Sequence, residues 1–200
     1  MANTWLYLVR HGAQQHSPAD GDGDGSGDEP NLGLSALGEE QARLLGGRLA
    51  GISFEAVCHS PLRRAAETAQ ILSGYLPGVP VSASELLADR TPVPTGAQED
   101  AVPPRYRWFF GTVPPAERDH GGAQLDAAFA RLAVAGEADR RELLITHNFV
   151  IGWFVRHVLD APWWRWMSLN QANCGLTVIK VSSGEPAALV TFNDTGHLTS

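Results

Sequence analysis

Three apolar runs of the sequence each end in histidine, accompanied by arginine, glycine, serine or asparagine. The residues at these ends are Arg10, His11 and Gly12 after WLYLV; His59 and Ser60 after FEAVC, with Arg63 and Arg64 shortly beyond; and His147 and Asn148 after LLIT. Arginine donates paired hydrogen bonds to phosphate oxygens and keeps its charge at any physiological pH. Gly12 would let the backbone approach a ligand closely. If these ends meet, the sequence predicts a cationic pocket for a phosphoryl group, to which Gly12 and Asn148 would also contribute.

Each of the three runs has the pattern of a buried β-strand. WLYLV (residues 5–9), FEAVCHS and ELLITHN are short, apolar and partly β-branched. In open α/β sheets, ligands bind beyond the carboxyl ends of the strands, where helix N-termini add N–H donors. We therefore expect the three ends to converge on one site.

The segments between and after these strands predict helices. They are LSALGEEQARLLGGRLAG, PLRRAAETAQILSGYL, QLDAAFARLAVAG and FVIGWFVRHVLDA. Ser35 is a suitable N-cap for the first, and Pro61 suits the first turn of the second. GLTVIKVS and PAALVTFN predict a terminal β-hairpin, whereas residues 90–123 predict a long loop or cap with little regular structure. The alternation indicates a single α/β domain over residues 1–200, with three layers and a mostly parallel central sheet flanked by helices.

The composition limits the partners and the location of the protein. Acidic residues outnumber lysine and arginine by 22 to 15, and the net charge is −7, which argues against nucleic-acid binding. No stretch is apolar over the length of a membrane span, and MANTWLYLVRHG has no basic region of a signal peptide. The two cysteines, Cys58 and Cys174, predict a reducing compartment. We therefore predict a cytoplasmic protein without membrane partners, and the oligomeric state stays open.

Two further patterns need an interpretation. DGDGDGSGDEPN places Asp20, Asp22 and Asp24 at calcium-loop positions one, three and five, but Asn31 occupies position twelve instead of the usual glutamate. We interpret it as a solvated loop and predict no metal site. The tryptophans of PWWRWM are typical of helix packing, and a lid or docking patch is the alternative.

Several of these motifs carry a family resemblance. LVRHG, SPLRRAAETA and ITHN, in this order, resemble the histidine phosphatase superfamily, which has the phosphoglycerate mutase-like fold. LSALGEEQA is similar to that family's segment after the first loop, so the resemblance covers nearly the whole chain. Within the family, HSPLRRAAETAQILSGYLPGVPVSASELLADRTPVP and FNDTGHL resemble the mitochondrial phosphoglycerate mutase-like Ser/Thr protein phosphatases.

The resemblance implies roles for the clustered residues. His11 would be the nucleophile that accepts the phosphoryl group, and His147 would bind that group together with Arg10 and Arg64. Arg64 rather than Arg63 matches the family pattern of serine, any residue, leucine, any residue, arginine and alanine.

The resemblance also implies a proton donor after the second helix. Asp89 in ELLADR lies at the position of the family's acid, which is usually a glutamate, and Glu85 is the less favoured alternative. Aspartate is one methylene shorter than glutamate, so this position departs from the family pattern.

These roles predict a phosphatase that hydrolyses phosphomonoesters through a phosphohistidine on His11. Like-charge repulsion from the arginines would lower the pKa of His11 and keep it nucleophilic. The cationic side chains would supply the charge that Mg²⁺ supplies elsewhere, so no metal or cofactor is expected. The substrate would be a phosphorylated small molecule or a phosphoprotein. Two alternatives stay open: a phosphoglycerate mutase with the same chemistry, and a non-catalytic phosphate-binding adaptor domain.

Overall fold

The computed structural model describes residues 2–15 and 31–198. Strands and α-helices alternate over most of this part of the chain. The elements are β1 (Asn3–Arg10), α1 (Ala36–Leu49), β2 (Ala56–His59), α2 (Arg63–Ser73), β3 (Val81–Ala83), β4 (Thr91–Val93), α3 (Ala97–Ala101), α4 (Phe109–Thr112), β5 (Arg118–His120), α5 (Ala123–Leu132), β6 (Arg140–Thr146), α6 (Asn148–Val158), β7 (Leu176–Ser182) and β8 (Ala188–Asp194).

One sheet organises these elements. Its strand order is β3-β2-β6-β1-β7-β8, in which β3, β2, β6 and β1 are parallel, β7 pairs antiparallel with β1, and β8 pairs antiparallel with β7. The predicted α/β class, the mostly parallel sheet and the terminal hairpin are therefore confirmed. Within the described residues, no helix has both the length and the apolar character needed to cross a membrane.

The apolar core forms two clusters, one on each face of the sheet. Side chains of α1 and α2 pack on one face with Val9, and side chains of α5 and α6 pack on the other with Leu6 and Leu8. Because successive residues of a strand point to opposite faces, a strand covered by helices on both sides must be apolar throughout. This requirement explains the continuous runs of β1 and β6, and it gives the predicted three layers.

Helix boundaries agree with the sequence pattern at α1 and differ at α2. The Ser35 hydroxyl accepts the N–H of Gly38 at 3.2 Å, so Ser35 is the N-cap as predicted. α2 begins only at Arg63, after an extended Leu62, so Pro61 lies before the helix. The prediction for Pro61 is wrong because the chain must first turn away from the end of β2.

The interpretation of residues 90–123 as largely irregular is also wrong. They contain the parallel pair β4–β5, the short helices α3 and α4, and single 3₁₀ turns. β5 has no apolar pattern because its sequence is RDH. The buried Asp119 carboxylate accepts the N–H groups of Gln124 and Leu125 and so starts α5.

The PWWRWM segment agrees with the packing interpretation. Its tryptophans belong to a 3₁₀ helix over Trp163–Ser168, and Trp166 is buried with its ring edge-on to Phe109 and Phe149. The segment therefore packs against both α4 and α6.

Candidate active site

The three strand ends identified in the sequence lie side by side. β6 is flanked by β1 and β2, with Arg10 opposite Thr146 and His59 opposite Ile145. The parallel pairing continues past the strands, since His11 N–H donates to Thr146 O at 3.0 Å and Ser60 N–H to Ile145 O at 2.9 Å. The convergence predicted from the sequence is therefore observed.

A cleft of about 1010 Å³ opens above these ends. Its lining combines charged and histidine side chains with neutral side chains. The neutral ones from the loop after β1, the start of α1 and the segment 112–114 are called the rim. The lining residues are Arg10, His11, Ala13, Gln14, Gln15, Ser35, Ala36, Leu37, Arg64, Asp89, Thr112, Pro114, Glu117, His147, Asn148, Phe149 and Asn173.

His11 presents one ring nitrogen as a lone-pair donor. Its Nδ1 lies 2.8 Å from the carbonyl oxygen of Gly12, so Nδ1 carries the proton and Nε2 does not. The pKa of His11 is lowered to about 3, mainly by burial and next by the neighbouring His147, with smaller contributions from Arg64 and Arg10, while the hydrogen bond to the Gly12 carbonyl opposes the shift. The sequence correctly predicts a neutral imidazole but assigns its main cause to the arginines instead of burial.

Arg64 lies between the nucleophilic nitrogen and a carboxylate. Its Nε donates to His11 Nε2 at 3.2 Å, and one terminal nitrogen donates to Asp89 Oδ2 at 2.7 Å. Arg63, in contrast, pairs with Glu67 at 2.7 Å and its side chain is 59% exposed. The structure thus brings Arg64 and not Arg63 into the cleft, as predicted.

Arg10 is held by backbone and keeps one donor available. Its Nη1 donates to the carbonyl oxygen of Gln171 at 2.6 Å. Its Nε is buried and has no hydrogen-bond partner among the described residues. A buried N–H without an acceptor is costly, and an oxygen of a bound phosphoryl group would satisfy it.

The tautomer of His147, like that of His11, is defined by the partners of its two ring nitrogens. Its Nε2 lies 2.7 Å from the Ser60 hydroxyl, and its Nδ1 lies 3.1 Å from Asp89 Oδ2. Burial, reinforced by Arg64 and Arg10, lowers the pKa of His147 well below its ordinary value. The neutral ring therefore donates from Nδ1 to Asp89 and accepts the Ser60 proton at Nε2.

Asp89 is the carboxylate of the cleft. A 3₁₀ turn over Glu85–Leu87 precedes it, and the Thr146 hydroxyl fixes this turn by donating to Leu87 O at 2.7 Å. Burial raises the pKa of Asp89, and the Arg64 guanidinium opposes that rise without cancelling it. Glu85 is exposed and does not line the cleft.

Gly12 has a different environment from the one expected. A Cβ atom at this position would lie 2.5 Å from the carbonyl oxygen of Gly38, so the glycine allows β1 and α1 to approach closely. Its N–H donates to the Thr68 hydroxyl at 3.1 Å and does not point at the cleft lining.

Asn148 lines the cleft, and its side chain supports Arg10 indirectly. Asn148 Oδ1 accepts the N–H of Gln171 at 2.8 Å, and the carbonyl of the same Gln171 accepts Arg10. The fully buried Gln171 is therefore the link between α6 and the end of β1.

Sequence reasoning missed Asn173 and Gln171 as positioning residues, and it placed Ser60 at a strand end without giving it a role. Asn173 donates its amide to His11 O at 2.9 Å, and Ser60 orients His147. Backbone groups carry no sequence signal, so the role of Gln171 is not readable from its type. Ser60 could be identified in the sequence as the residue after His59 at a predicted strand end, but its contact with His147 could not.

The prediction of no metal site can be compared with the structure only over the described residues. The described residues contain no group of three or more histidine, cysteine, aspartate or glutamate side chains able to hold a metal ion. The calcium-like pattern over residues 20–31 lies almost entirely outside the described residues. Of its members only Asn31 is described, and Asn31 Oδ1 accepts the N–H of Arg63 at 2.8 Å.

Comparison with known proteins gives a family and relatives. The model of the histidine phosphatase superfamily (branch 1) matches residues 6–195. The mouse protein "Serine/threonine-protein phosphatase PGAM5, mitochondrial" is 34% identical over 203 residues, which are 98% of this chain and 65% of that protein. The chain thus spans somewhat less than two thirds of the length of this curated relative.

Solved structures share the fold. A putative α-ribazole-5′-P phosphatase from Escherichia coli superposes with a TM-score of 0.70 at 24% identity, covering 96% of this chain and 97% of the other. Bacillus stearothermophilus YhfR gives a TM-score of 0.71 at 23% identity, covering 98% and 99%. The predicted phosphoglycerate mutase-like fold is therefore confirmed.

The predicted cytoplasmic location is wrong, because the curated relatives from mouse, human and Caenorhabditis briggsae that match nearly the whole chain are named as mitochondrial proteins. A low cysteine count argues against an oxidising compartment and does not distinguish one reducing compartment from another.

Proposed function

Because the chain belongs to the histidine phosphatase superfamily, we propose that it is a metal-independent phosphatase that hydrolyses phosphomonoesters through a phosphohistidine. The observation that carries this proposal is the state of His11. Its Nε2 holds a lone pair at the base of a cleft, directly beside the Arg64 guanidinium. A neutral imidazole next to a fixed cation can attack a phosphoryl group that the cation binds.

In the first step, His11 Nε2 attacks phosphorus and the bond from phosphorus to the ester oxygen breaks. Asp89, whose pKa burial raises, gives its proton to the departing oxygen, so the products are a phosphohistidine and a neutral alcohol. Arg64 contacts both His11 and Asp89, which places the nucleophile and the acid on two sides of one guanidinium.

In the second step, a water molecule attacks the phosphohistidine. The Asp89 carboxylate accepts a proton from that water, inorganic phosphate leaves, and His11 returns to its neutral state. Arg10 Nε, the Arg64 guanidinium and His147 would stabilise the charge on the phosphoryl oxygens in both steps.

The remaining site and domain predictions stand as parts of this proposal. Gly12 and Asn148 would shape the phosphate site through their neighbours: Gly12 by close packing on α1, and Asn148 through Gln171 and Arg10. Residues 1–200 would form one histidine phosphatase domain. The substrate would be a phosphorylated small molecule or a phosphoprotein, and the relatives named as mitochondrial support a mitochondrial location.

The test is turnover of para-nitrophenyl phosphate in the presence of EDTA. The wild-type protein should be active, and rapid quenching should trap a phosphoenzyme that is labile in acid and stable in base. His11→Ala should abolish both signals. His59→Ala is the matched control, because His59 also ends a strand but lies outside the cleft lining, and it should retain near-wild-type activity.

Other outcomes would overturn the proposal. Phosphate binding without turnover would indicate an adaptor domain. Conversion of 3- to 2-phosphoglycerate faster than phosphate release would indicate a mutase. Near-wild-type turnover by His11→Ala would remove the phosphohistidine from the mechanism.

A further inference from the structure

We infer that Asn193 and His197 are positioning residues for the proposed reaction. They act through residues 171–174, a stretch of chain between α6 and β7 that is called the support segment below. The inference rests on the proposed function and deepens it. Both residues belong to FNDTGHL, a motif that takes no part in the chemical steps, and neither lines the cleft. Any effect they have on catalysis must therefore pass through other residues.

The support segment is hydrogen-bonded to the end of β1 at three points. The Gln171 carbonyl accepts Arg10 Nη1 at 2.6 Å. Asn173 donates its side-chain amide to His11 O at 2.9 Å. The N–H of Cys174 donates to Arg10 O at 2.9 Å. A displacement of this segment would therefore move the phosphate-binding arginine and the nucleophile together.

The shape of the support segment depends on contacts with its surroundings. Cys174 has a left-handed backbone with φ 55°, a conformation that persists in such a residue only where neighbouring structure holds it. Asn193 Oδ1 accepts the N–H of Ala172 at 2.8 Å. His197 Nε2 lies 3.0 Å from Cys174 O, and since a carbonyl oxygen only accepts, the ring donates. The two side chains thus hold the segment on both sides of Asn173.

Asn193 reaches the support segment because β8 is irregular there. Three residue steps of β8, from Thr191 to Asp194, lie opposite two steps of β7. Such a β-bulge redirects a side chain, and Asn193 adopts φ 49°, which asparagine tolerates better than most residues. A Cβ atom at Gly175 would clash with Asn193 Oδ1, so this glycine leaves room for the amide.

The segment that carries His197 is itself attached to α1. Asp194 pairs with Arg48 in the last turn of α1, and the same carboxylate accepts the N–H of Gly196 at 2.9 Å. The FNDTGHL motif is therefore fixed to a core helix on one side and bonded to the support segment on the other.

The expected consequence is an effect on rate more than on affinity. Attack of an imidazole on phosphorus requires close and aligned atoms, and a misplacement of about 1 Å can cost about 100-fold in rate. Arg64 is held by α2 and Asp89 and does not depend on the support segment, so it should still bind the phosphoryl group. Loss of Asn193 or His197 should therefore slow phosphoryl transfer and change KM little.

The first experiment measures phosphoenzyme formation from para-nitrophenyl phosphate in single turnovers over a range of substrate concentrations. Asn193→Gly removes the amide and tolerates the left-handed backbone. It should lower the maximal rate by about 10- to 100-fold and change the half-saturating concentration by less than about threefold. Asn193→Asp keeps an acceptor oxygen and should restore the rate to within about threefold of wild type.

Ser182→Ala is the matched control for lost stability. It removes a part-buried hydrogen bond of 2.8 Å to Asn3 at the opposite end of β7. This variant should lose stability in urea comparably to Asn193→Gly and should keep the wild-type rate. The comparison separates positioning from a merely structural role, which would lower stability and leave the rate of the folded protein unchanged.

A second pair of variants tests His197 independently and decides the matter if Asn193→Gly does not fold. His197→Phe keeps a ring and removes the donor to Cys174 O. It should lower the maximal rate by at least about fivefold. His197→Gln presents an N–H donor the same number of bonds from the backbone, and it should restore most of the rate.

The outcomes separate this inference from the proposed function. An unchanged maximal rate in a folded Asn193→Gly or His197→Phe variant would refute the positioning role of that residue. A rise in KM alone, or failure of the aspartate and glutamine variants to restore the rate, would also refute it. Absence of turnover in the wild-type protein would instead refute the proposed function.

Discussion

Asp89→Asn separates the proton donor from the rest of the site. In the native structure, Asp89 Oδ2 accepts Arg64 at 2.7 Å and His147 at 3.1 Å, and the side chain is 17% exposed. Asparagine has the same shape, and its oxygen can accept both bonds, but it has no proton to give to a leaving oxygen. The variant should therefore fold normally and lose only general acid–base catalysis.

The magnitude depends on the leaving group. An alkyl phosphate needs a proton on its departing oxygen, so the rate of phosphoenzyme formation should fall by about 10²–10⁴-fold, or about 2.7–5.4 kcal/mol at 1.36 kcal/mol per tenfold. Para-nitrophenolate leaves without a proton, and its transfer should slow by no more than about threefold. Loss of the Asp89 charge beside Arg64 should strengthen phosphate binding, so KM is a poor readout.

Single-turnover kinetics at saturating substrate avoid that complication and isolate the first step from hydrolysis of the phosphoenzyme. Glu85→Gln is the matched control, because Glu85 precedes the same segment but is exposed and outside the cleft, and it should behave as wild type. Equal losses with alkyl and aryl phosphates would show that Asp89 is not the donor. A large loss in Glu85→Gln would transfer the role to that residue.

The pH profile gives an independent check on the same residue. Asp89 acts in its protonated form, so activity on an alkyl phosphate should be lost as pH rises through its raised pKa, which lies above the ordinary value of about 3.9. Asp89→Asn should lack this alkaline limb. His11, with a pKa of about 3 in the free protein, should not cause an acid limb between about pH 5 and 7.

Three further substitutions test the positioning of the site. Arg64→Ala should lower kcat/KM by about 30- to 1000-fold, whereas Arg63→Ala should change it by less than about threefold; an equal loss from both would reverse their assignment. Asn148→Ala should lower kcat/KM, and it should also lower the free energy of urea unfolding by about 1 kcal/mol, because the N–H of Gln171 loses its acceptor. If Asn148 instead bound the phosphate directly, the substitution would lower the activity and leave the stability unchanged. Gly12→Ala should destabilise the fold by about 1–3 kcal/mol through its clash with the Gly38 carbonyl, while Gly47→Ala, with no atom within 4 Å of the added carbon, should not destabilise it.

Part of the site was predictable because the sequence changes from apolar to polar residues where a buried strand ends. A run buried on both faces must be apolar, so the first polar residues after it mark the carboxyl edge of the sheet. Arg10, His11 and His147 were found in this way. Arg64 was distinguished from Arg63 only by the family resemblance, although an i, i+4 pairing of Arg63 with Glu67 was an available sign that Arg63 faces outward.

Other parts of the site depend on groups that every residue possesses. The support for Arg10 is a backbone carbonyl, and the tautomer of His11 is set by the carbonyl of Gly12. Residue type cannot reveal such contacts. Burial is equally hidden, which is why the sequence assigned the low pKa of His11 to arginine. The packing of Gly12 on Gly38 likewise requires knowing that α1 crosses the end of β1.

The rim of the cleft marks a deeper limit of sequence reasoning. Its residues come from the loop after β1, the start of α1 and the end of α4, which are far apart in the chain and share no periodicity. The inner residues are constrained by the chemistry of phosphoryl transfer, whereas rim residues such as Leu37 and Thr112 are constrained only by the substrate. Two chains with the same RHG and THN motifs can therefore differ in substrate through the side chains at the rim of the cleft.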